Sequence, residues 1–296
     1  MSSLRLRDRT VDVQAGRPLI MGIVNVGDDS FSDAVRLDTL ERQVQRGLEL
    51  VAEGADLVDV GGESGVTYTP AATADEEAAR VVPLVERLAA EGVGVSVDTW
   101  KPEVARAALE AGAVMLNDVS GLRDPALAEL AARTGAALVL MHTRAEPKRE
   151  GFPAYDDVVA DVEAFLRERI DLALDHGVAR EQLVLDPGPD FAKTPQQTVA
   201  VLRDVERLRA LRRPLLLAVS RKYFLGAITG RPPAERLAAT LAAAAWAVDA
   251  GAAILRVHDV AAVRDALAVK AVLDGRDEVP AFDAGDDELK WIRSDR

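Results

Sequence analysis

The chain has 296 residues, 49% of them hydrophobic and only 4% aromatic. That length suits one α/β barrel of about 250 residues better than two separate domains, and apolar content dominated by Ala, Val and Leu favours helices packed on parallel strands over a β-sandwich. The formal net charge of −13 argues against a broad nucleic-acid footprint, and the lack of cysteine excludes disulfides, a thiolate nucleophile and a cysteine–zinc site.

Residues 1–18 read as an N-terminal extension or a short hairpin closing the floor of the fold. The opening MSSLRLRDRT lacks the apolar run of a secretory leader, so the cytoplasm is the expected compartment. The first buried strand is LIMGIVNV (19–26), which empties into the polar stretch NVGDDSFSDA. A segment with helical spacing, TLERQVQRGLELVAEGA, leads to the second strand, LVDVGG (57–62). Further helix–strand steps give VGVSVDT (93–99), MLNDVS (115–120) and ALVLMHT (137–143). The long segment AYDDVVADVEAFLRERIDLALDHG precedes LVLDPGP (183–189), and LLLAVS (215–220) and AILRVHD (253–259) complete the set of eight. Each run is too short for a globular helix and apolar enough to be buried on both faces. Gly54, Gly92, Gly112, Gly177 and Gly251 stand where helices should stop. This alternation implies a parallel sheet with right-handed crossovers, and eight units close most naturally into a single-domain (β/α)8 TIM barrel over residues 19–274. The alternative, an open doubly wound sheet, lacks its usual Gly-rich dinucleotide turn here. Residues 275–296 read as a charged tail or terminal helix. No apolar stretch approaches the roughly 18 residues of a membrane span.

Polar residues gather at one end of these strands. Asn25 ends the first, Asp59 lies in the second and Asp98 ends the third. Asn117 and Asp118 end the fourth, His142 the fifth, Asp186 the sixth, and Ser220 the seventh with Arg221 and Lys222 following. Arg256, His258 and Asp259 end the eighth. In a barrel all these ends converge on one face, where barrel enzymes place their sites. Asp98, Asn117 and Asp186 suit a flat heterocycle with adjacent N–H donors, such as a 2-amino-4-oxopyrimidine. Lys222, Arg256 and His258 suit an oxyanion, most simply phosphate. Asn25 and the loop carboxylates could hold Mg²⁺ through oxygen ligands and water.

In order and spacing the chain resembles the dihydropteroate synthases. The resemblance rests on IMGIVNV, GADLVDVGGES (54–64), SVDTWKPEVARAALEAGA (96–113), NDVSG (117–121), DPGPDFAKT (186–194), SRKYFLG (220–226) and RVHDV (256–260). It implies a transferase of folate biosynthesis that joins p-aminobenzoate to a dihydropterin methyl diphosphate, uses Mg²⁺, is the target of sulfonamides and works as a homodimer. It places Asp98, Asn117, Asp186, Phe191 and Lys222 around the pterin, and Ser220 and Arg221 near p-aminobenzoate. Asn25, Arg256 and His258 match the diphosphate site, Asn25 as the metal ligand. Asp98, Lys222 and Asn25 are the residues expected to carry catalysis.

Two loops depart from the family pattern. Gly27-Asp28 replaces Thr-Pro and Ala34-Val35 replaces Gly-Gly in the first; Gly65-Val66 replaces Thr-Arg in the second. These changes lower the positive potential near the leaving group, and Arg36 or Arg144 is a candidate to restore it. They also motivate an alternative, a pterin-binding paralogue without synthase activity; a pterin-barrel methyltransferase is a third reading. His142 is open between a core residue and a ligand, and Asp59 between a structural link and a ligand. Asp118 and Asp259 read as orienting or capping residues, and His176 as a helix C-terminal residue facing the dipole.

Overall fold

The computed structural model describes residues 2–27, 38–63, 71–149 and 151–280. Asp28, Ala34, Val35, Arg36, Gly65, Val66 and the tail from residue 281 lie outside the described residues.

Strands β1 (Ser2–Leu6) and β2 (Arg9–Val13) form an antiparallel hairpin. Eight parallel strands follow: β3 (Leu19–Asn25), β4 (Leu57–Gly61), β5 (Val95–Asp98), β6 (Met115–Asp118), β7 (Ala137–Met141), β8 (Leu183–Asp186), β9 (Leu216–Leu217) and β10 (Ile254–Val257). They are hydrogen-bonded in the order β8-β7-β6-β5-β4-β3-β10-β9. One isolated parallel bridge between Leu185 and Leu215 joins the two ends, with the Leu185 N–H donating to the Pro214 carbonyl at 2.9 Å. The sheet is thus a nearly closed barrel, as the alternation of elements predicts. The seventh strand is shorter than its apolar run suggests. Only Leu216–Leu217 pair, because the chain then turns toward the next helix, with Arg221 in the left-handed region at φ 56°.

Helices α1 (Leu40–Ala52), α2 (Ala74–Ala90), α3 (Pro102–Glu110), α4 (Ala126–Thr134), α5 (Val158–Asp175), α6 (Pro195–Arg203), α7 (Tyr223–Thr229) and α8 (Leu237–Asp249) fill the crossovers, and α9 (Val260–Leu273) is the last helix among the described residues. Local sequence fixes several starts. Thr73 with Glu76 and Thr194 with Gln197 form reciprocal capping boxes, and Asp157 accepts the Val159 and Ala160 N–H groups. No helix among the described residues is long and apolar enough to cross a membrane.

Alternate residues of a strand face opposite sides, so each strand has an outward and an inward set. Val24, Val58, Val97, Leu116, Leu138 and Leu255 are outward and pack beneath the helices. Met21, Leu57, Met115, Val184, Leu216 and Ile254 are inward, and with Leu4, Leu6 and Val13 of the hairpin they make an apolar floor. Arg7 fastens the hairpin there, donating from Nη1 to the Leu109 and Ala113 carbonyls at 2.9 and 3.1 Å. Counting upward by twos from the floor reaches Asn25, Asp59, Asn117, Asp186, Ser220, Arg256 and His258. Ser96 and Asp98 hold the same inward places on β5.

Candidate active site

The inward polar residues form one connected layer. Strand register sets Asn25 beside Gly61, Gly61 beside Asp98, and Asp98 beside Asn117. Gly61 leaves the space between the side chains of Asn25 and Asp98 open; a Cβ there would lie 3.2 Å from Asn25 Oδ1.

Arg256 sits at the centre. Its Nε donates to Asp59 Oδ2 at 2.6 Å and its Nη2 to Asp98 Oδ2 at 3.0 Å. Burial opposes its charge, but Asp59 and Asp98 outweigh that and hold the guanidinium above its ordinary value. Asn117 Nδ2 donates to the same Asp59 oxygen at 3.0 Å. Its amide is therefore turned so that Oδ1 is left as an acceptor. Asp59 is fully buried, so its role is to join β4, β6 and β10, although Oδ1 has no partner. Burial pushes the Asp98 carboxyl up to about 7, Arg256 pulls it down, and Asp59 and Glu77 raise it further.

Across the barrel, Asp186 Oδ1 accepts the Gly188 N–H at 2.7 Å. Burial raises its pKa, while that hydrogen bond and Lys222 oppose the shift. The Lys222 ammonium lies 4.5 Å from the centre of the Phe191 ring. Burial lowers its pKa against the pull of Asp190, Asp186 and Asp98. Ser220 and His258 form a closed pair. Ser220 Oγ accepts the His258 backbone N–H at 3.2 Å and lies 2.9 Å from His258 Nδ1. Burial, then Arg256, Arg221 and Lys222, press the imidazole down to about 3. A neutral ring whose Nδ1 accepts the Ser220 hydroxyl carries its proton on Nε2, and so presents a donor.

Other strand-end residues face outward and serve the frame. Asp118 accepts the Ser120 and Leu122 N–H groups at 2.7 and 2.5 Å. His142 is fully buried, with Nε2 2.8 Å from Asp161 Oδ1 and its ring edge-on to Phe165. It is therefore a core residue; burial pushes its pKa down to about 3. Arg144 makes a two-pronged contact with Asp161 at 3.0 and 2.8 Å. Arg221 grips Asp259 likewise at 3.1 and 2.6 Å, outside the inward layer. His176 caps α5, with Nδ1 3.3 Å from Glu129.

Three groups escape sequence reasoning. Lys193 is fully buried and donates to the carbonyls of Gly188, Phe191 and His142 at 3.0, 3.0 and 3.3 Å. It fastens the turn that carries Phe191. Only glycine fits at position 188, where φ is +65° and a Cβ would fall 2.1 Å from the His142 carbonyl oxygen. Lys101 joins Glu63 and Glu77 at 2.7 and 2.5 Å, and Glu63 also accepts the Ala72 N–H at 3.1 Å. That cluster ties together the residues flanking 64–70. Asp190 is the third, with its carboxylate on the Phe224 N–H. In the sequence the only signal is a lysine and an aspartate within DPGPDFAKT.

For a metal ion, Asn25 offers one amide oxygen, and no group of three or more His, Asp or Glu is arranged to hold one among the described residues. Such a place fits Mg²⁺, which commonly keeps several waters and takes other ligands from substrate phosphates.

A profile of the family described as "Pterin binding enzyme" matches residues 21–258, from within β3 to just past the end of β10. The chain is also 48% identical over 262 residues to the dihydropteroate synthase of Mycobacterium leprae, covering 84% of this chain and 91% of the relative. It belongs to the dihydropteroate synthase family. Solved members superpose closely. Xanthomonas albilineans dihydropteroate synthase with 4-aminobenzoic acid matches with a TM-score of 0.84 at 44% identity, over 94% of this chain and 100% of that one. The same organism's synthase in complex with 7,8-dihydropteroate gives a TM-score of 0.82 at 44% identity over the same shares. The matched span of this pterin-binding family thus carries the whole inward polar layer.

Proposed function

We infer that the protein condenses p-aminobenzoate with (7,8-dihydropterin-6-yl)methyl diphosphate, giving 7,8-dihydropteroate and diphosphate. The observation that carries this reading is the inward layer, with hydrogen-bond acceptors on one side of the barrel and donors on the other. Asn117 Oδ1, Asp98 Oδ1 and Asp186 Oδ2 make no hydrogen bond among the described residues and would receive the N–H edge of the pterin. Lys222 would donate to the pterin's carbonyl or ring nitrogen while its ammonium lies against Phe191. Arg256 and the Nε2–H of His258 would receive the diphosphate, and Ser220, with Arg221 behind it, would border p-aminobenzoate.

In the reaction the amine nitrogen forms a bond to the pterin methylene carbon as the C–O bond to diphosphate breaks. Diphosphate keeps the electron pair and the new ammonium sheds a proton. Positive charge developing on the methylene is stabilised by the ring and by the Asp98 carboxylate, and negative charge on the leaving group by Arg256 and His258. The aromatic amine is uncharged at neutral pH, so orientation contributes more than base catalysis. Mg²⁺, when bound, would neutralise charge on the departing diphosphate, and Asn25 is the side chain that would help to hold it.

The reading is tested by diphosphate release from purified protein with the dihydropterin diphosphate and Mg²⁺, with and without p-aminobenzoate. Release that needs p-aminobenzoate and disappears in Lys222→Ala supports it. Tight pterin binding without release would leave a pterin-binding paralogue instead.

Two copies are further proposed to pair through the outer surface of α7, α8 and α9. Ile228, Trp246, Val269 and Leu273 are exposed there, and α8 is apolar almost all round. Sedimentation of Trp246→Glu as a monomer beside a dimeric parent would support that assembly.

A further inference from the structure

Lys222 stands at the N-cap of α7 yet makes no side-chain cap hydrogen bond. A lysine cannot accept an N–H, so the first turn of this seven-residue helix needs an acceptor from elsewhere. Asp190 supplies it from the turn after β8. Both its carboxylate oxygens lie within reach of the Phe224 N–H, at 3.3 and 3.2 Å. The Thr198 hydroxyl donates to Asp190 Oδ1 at 3.2 Å and accepts the Asp190 N–H at 3.1 Å, fixing the carboxylate from the α6 side.

Asp190 also adopts φ +65°, a left-handed conformation that costs energy for a residue with a Cβ and is tolerated best by Asn, Asp and Gly. Its neighbour in the same turn is Phe191, whose ring faces the Lys222 ammonium. From the opposite side, Arg236 Nη1 donates to the Arg221 and Lys222 carbonyls at 2.9 and 3.1 Å. The backbone around Lys222 is thus clamped between a guanidinium on its carbonyl and a carboxylate on the N–H two residues later.

We propose that Asp190 is a positioning residue for the pterin site: by capping α7 and standing as counter-charge to Lys222, it aims the lysine across Phe191 into the pocket. The groups that face Lys222 are Asp190 from the turn, Asp186 from β8, Asp98 from β5, and Arg256 and His258 from β10, with Lys193 beneath. Asp190 is one of three carboxylates, with Asp186 and Asp98, that favour the charged form of Lys222. Removing its charge leaves Arg256 less opposed and moves deprotonation of Lys222 to lower pH.

The proposal rests on the reading of this pocket as the pterin site, and two full-length variants test it. Asp190→Asn keeps an acceptor for Phe224 and tolerates the left-handed backbone, but has no charge. Asp190→Gly relieves the backbone and removes the cap. Binding of the dihydropterin methyl diphosphate is titrated across pH, alongside KM for each substrate and the melting temperature. In Asp190→Asn the alkaline limb of pterin binding should move to lower pH with the melting temperature unchanged. In Asp190→Gly the KM for the pterin diphosphate should rise about tenfold, the size of one lost charge-assisted hydrogen bond, while that for p-aminobenzoate stays constant. Parental pterin affinity and pH profile in both variants would overturn the proposal. So would equal losses for both substrates that follow a fall in melting temperature. If the parent protein does not bind the pterin diphosphate, the pocket reading fails; parental binding with indifferent variants overturns only the role of Asp190.

Discussion

The two ends of the barrel are built from the same strands and the same side-chain alternation, yet they behave as different materials. The floor is apolar and plugged by the hairpin, with Met21, Leu57 and Met115 fully or almost fully buried against Leu4 and Leu6. The mouth, two to four residues further along each strand, is a net of carboxylates, amides and cations. Charge alone does not separate them. A cleft of about 660 Å³ beside the floor is lined by Arg5, Arg7 and Arg9. Arg7, however, is turned onto the Leu109 carbonyl in the last turn of α3, where a helix terminus is electronegative, and onto the Ala113 carbonyl just beyond it. At the mouth, Asp98, Asn117 and Asp186 each keep an oxygen directed to no protein donor among the described residues. The lesson is that a functional pocket is marked by hydrogen-bonding capacity left over after the fold has taken its share.

The comparison is sharpened first at Lys222. Lys222→Ala should lower kcat/KM by roughly 10³-fold, as loss of a preorganised donor does, and leave the urea midpoint unchanged or higher because a desolvated cation has gone. A matching loss of stability would mean that the mouth is structural after all. Leu57→Ala at the floor should do the reverse. We expect a loss of about 2–5 kcal/mol in chemical denaturation, with kcat/KM preserved below the melting transition.

Two pH experiments separate inward from outward groups. His142 titrates at about 3 when folded and near 6.5 when unfolded. The unfolded chain therefore binds the extra proton below pH 6.5, and stability is lost as the pH falls. His142→Gln should gain on the parent by about 1.4 kcal/mol per pH unit between roughly pH 6 and 4, read from urea unfolding at each pH. Parallel curves for the two proteins would show that the histidine is not held neutral. Asp98, raised to about 7, loses its charge as the pH falls below that value. Pterin affinity should then weaken by up to about tenfold per unit below pH 7, and Asp98→Asn should bind more weakly but with a flatter pH profile in fluorescence titrations.

Much of this is legible in the sequence. Short β-branched runs separated by helical spacing specify eight strands, and their polar ends specify a mouth. The even spacing from Leu57 to Asp59, or from Ile254 to Arg256 and His258, also assigns those residues to the interior. The same parity sets His142 and Asp118 outward, where they hold helix α5 and a turn. What could not be read is whatever depends on turns folding under. Lys193 in DPGPDFAKT looks like a solvated lysine; it is buried because three carbonyls of the surrounding chain converge on it. Glu77 likewise lies in an acidic first turn that looks exposed, and is buried because Lys101 reaches it. The length of β9 is likewise not legible in LLLAVS, because an apolar run records burial, not pairing.

That short strand has a consequence for motion. Between β8 and β9 the barrel has one bridge where other neighbours have a ladder, so this is where the ring is easiest to open. The groups on either side are Asp186 and Phe191 before the gap and Lys222 after it. A ligand held by both sides acts as a clasp. Filling the pocket should slow amide hydrogen exchange at Leu185 and Leu217 more than at Val58 or Val97, which makes the bound molecule part of the closure of the barrel as well as its cargo.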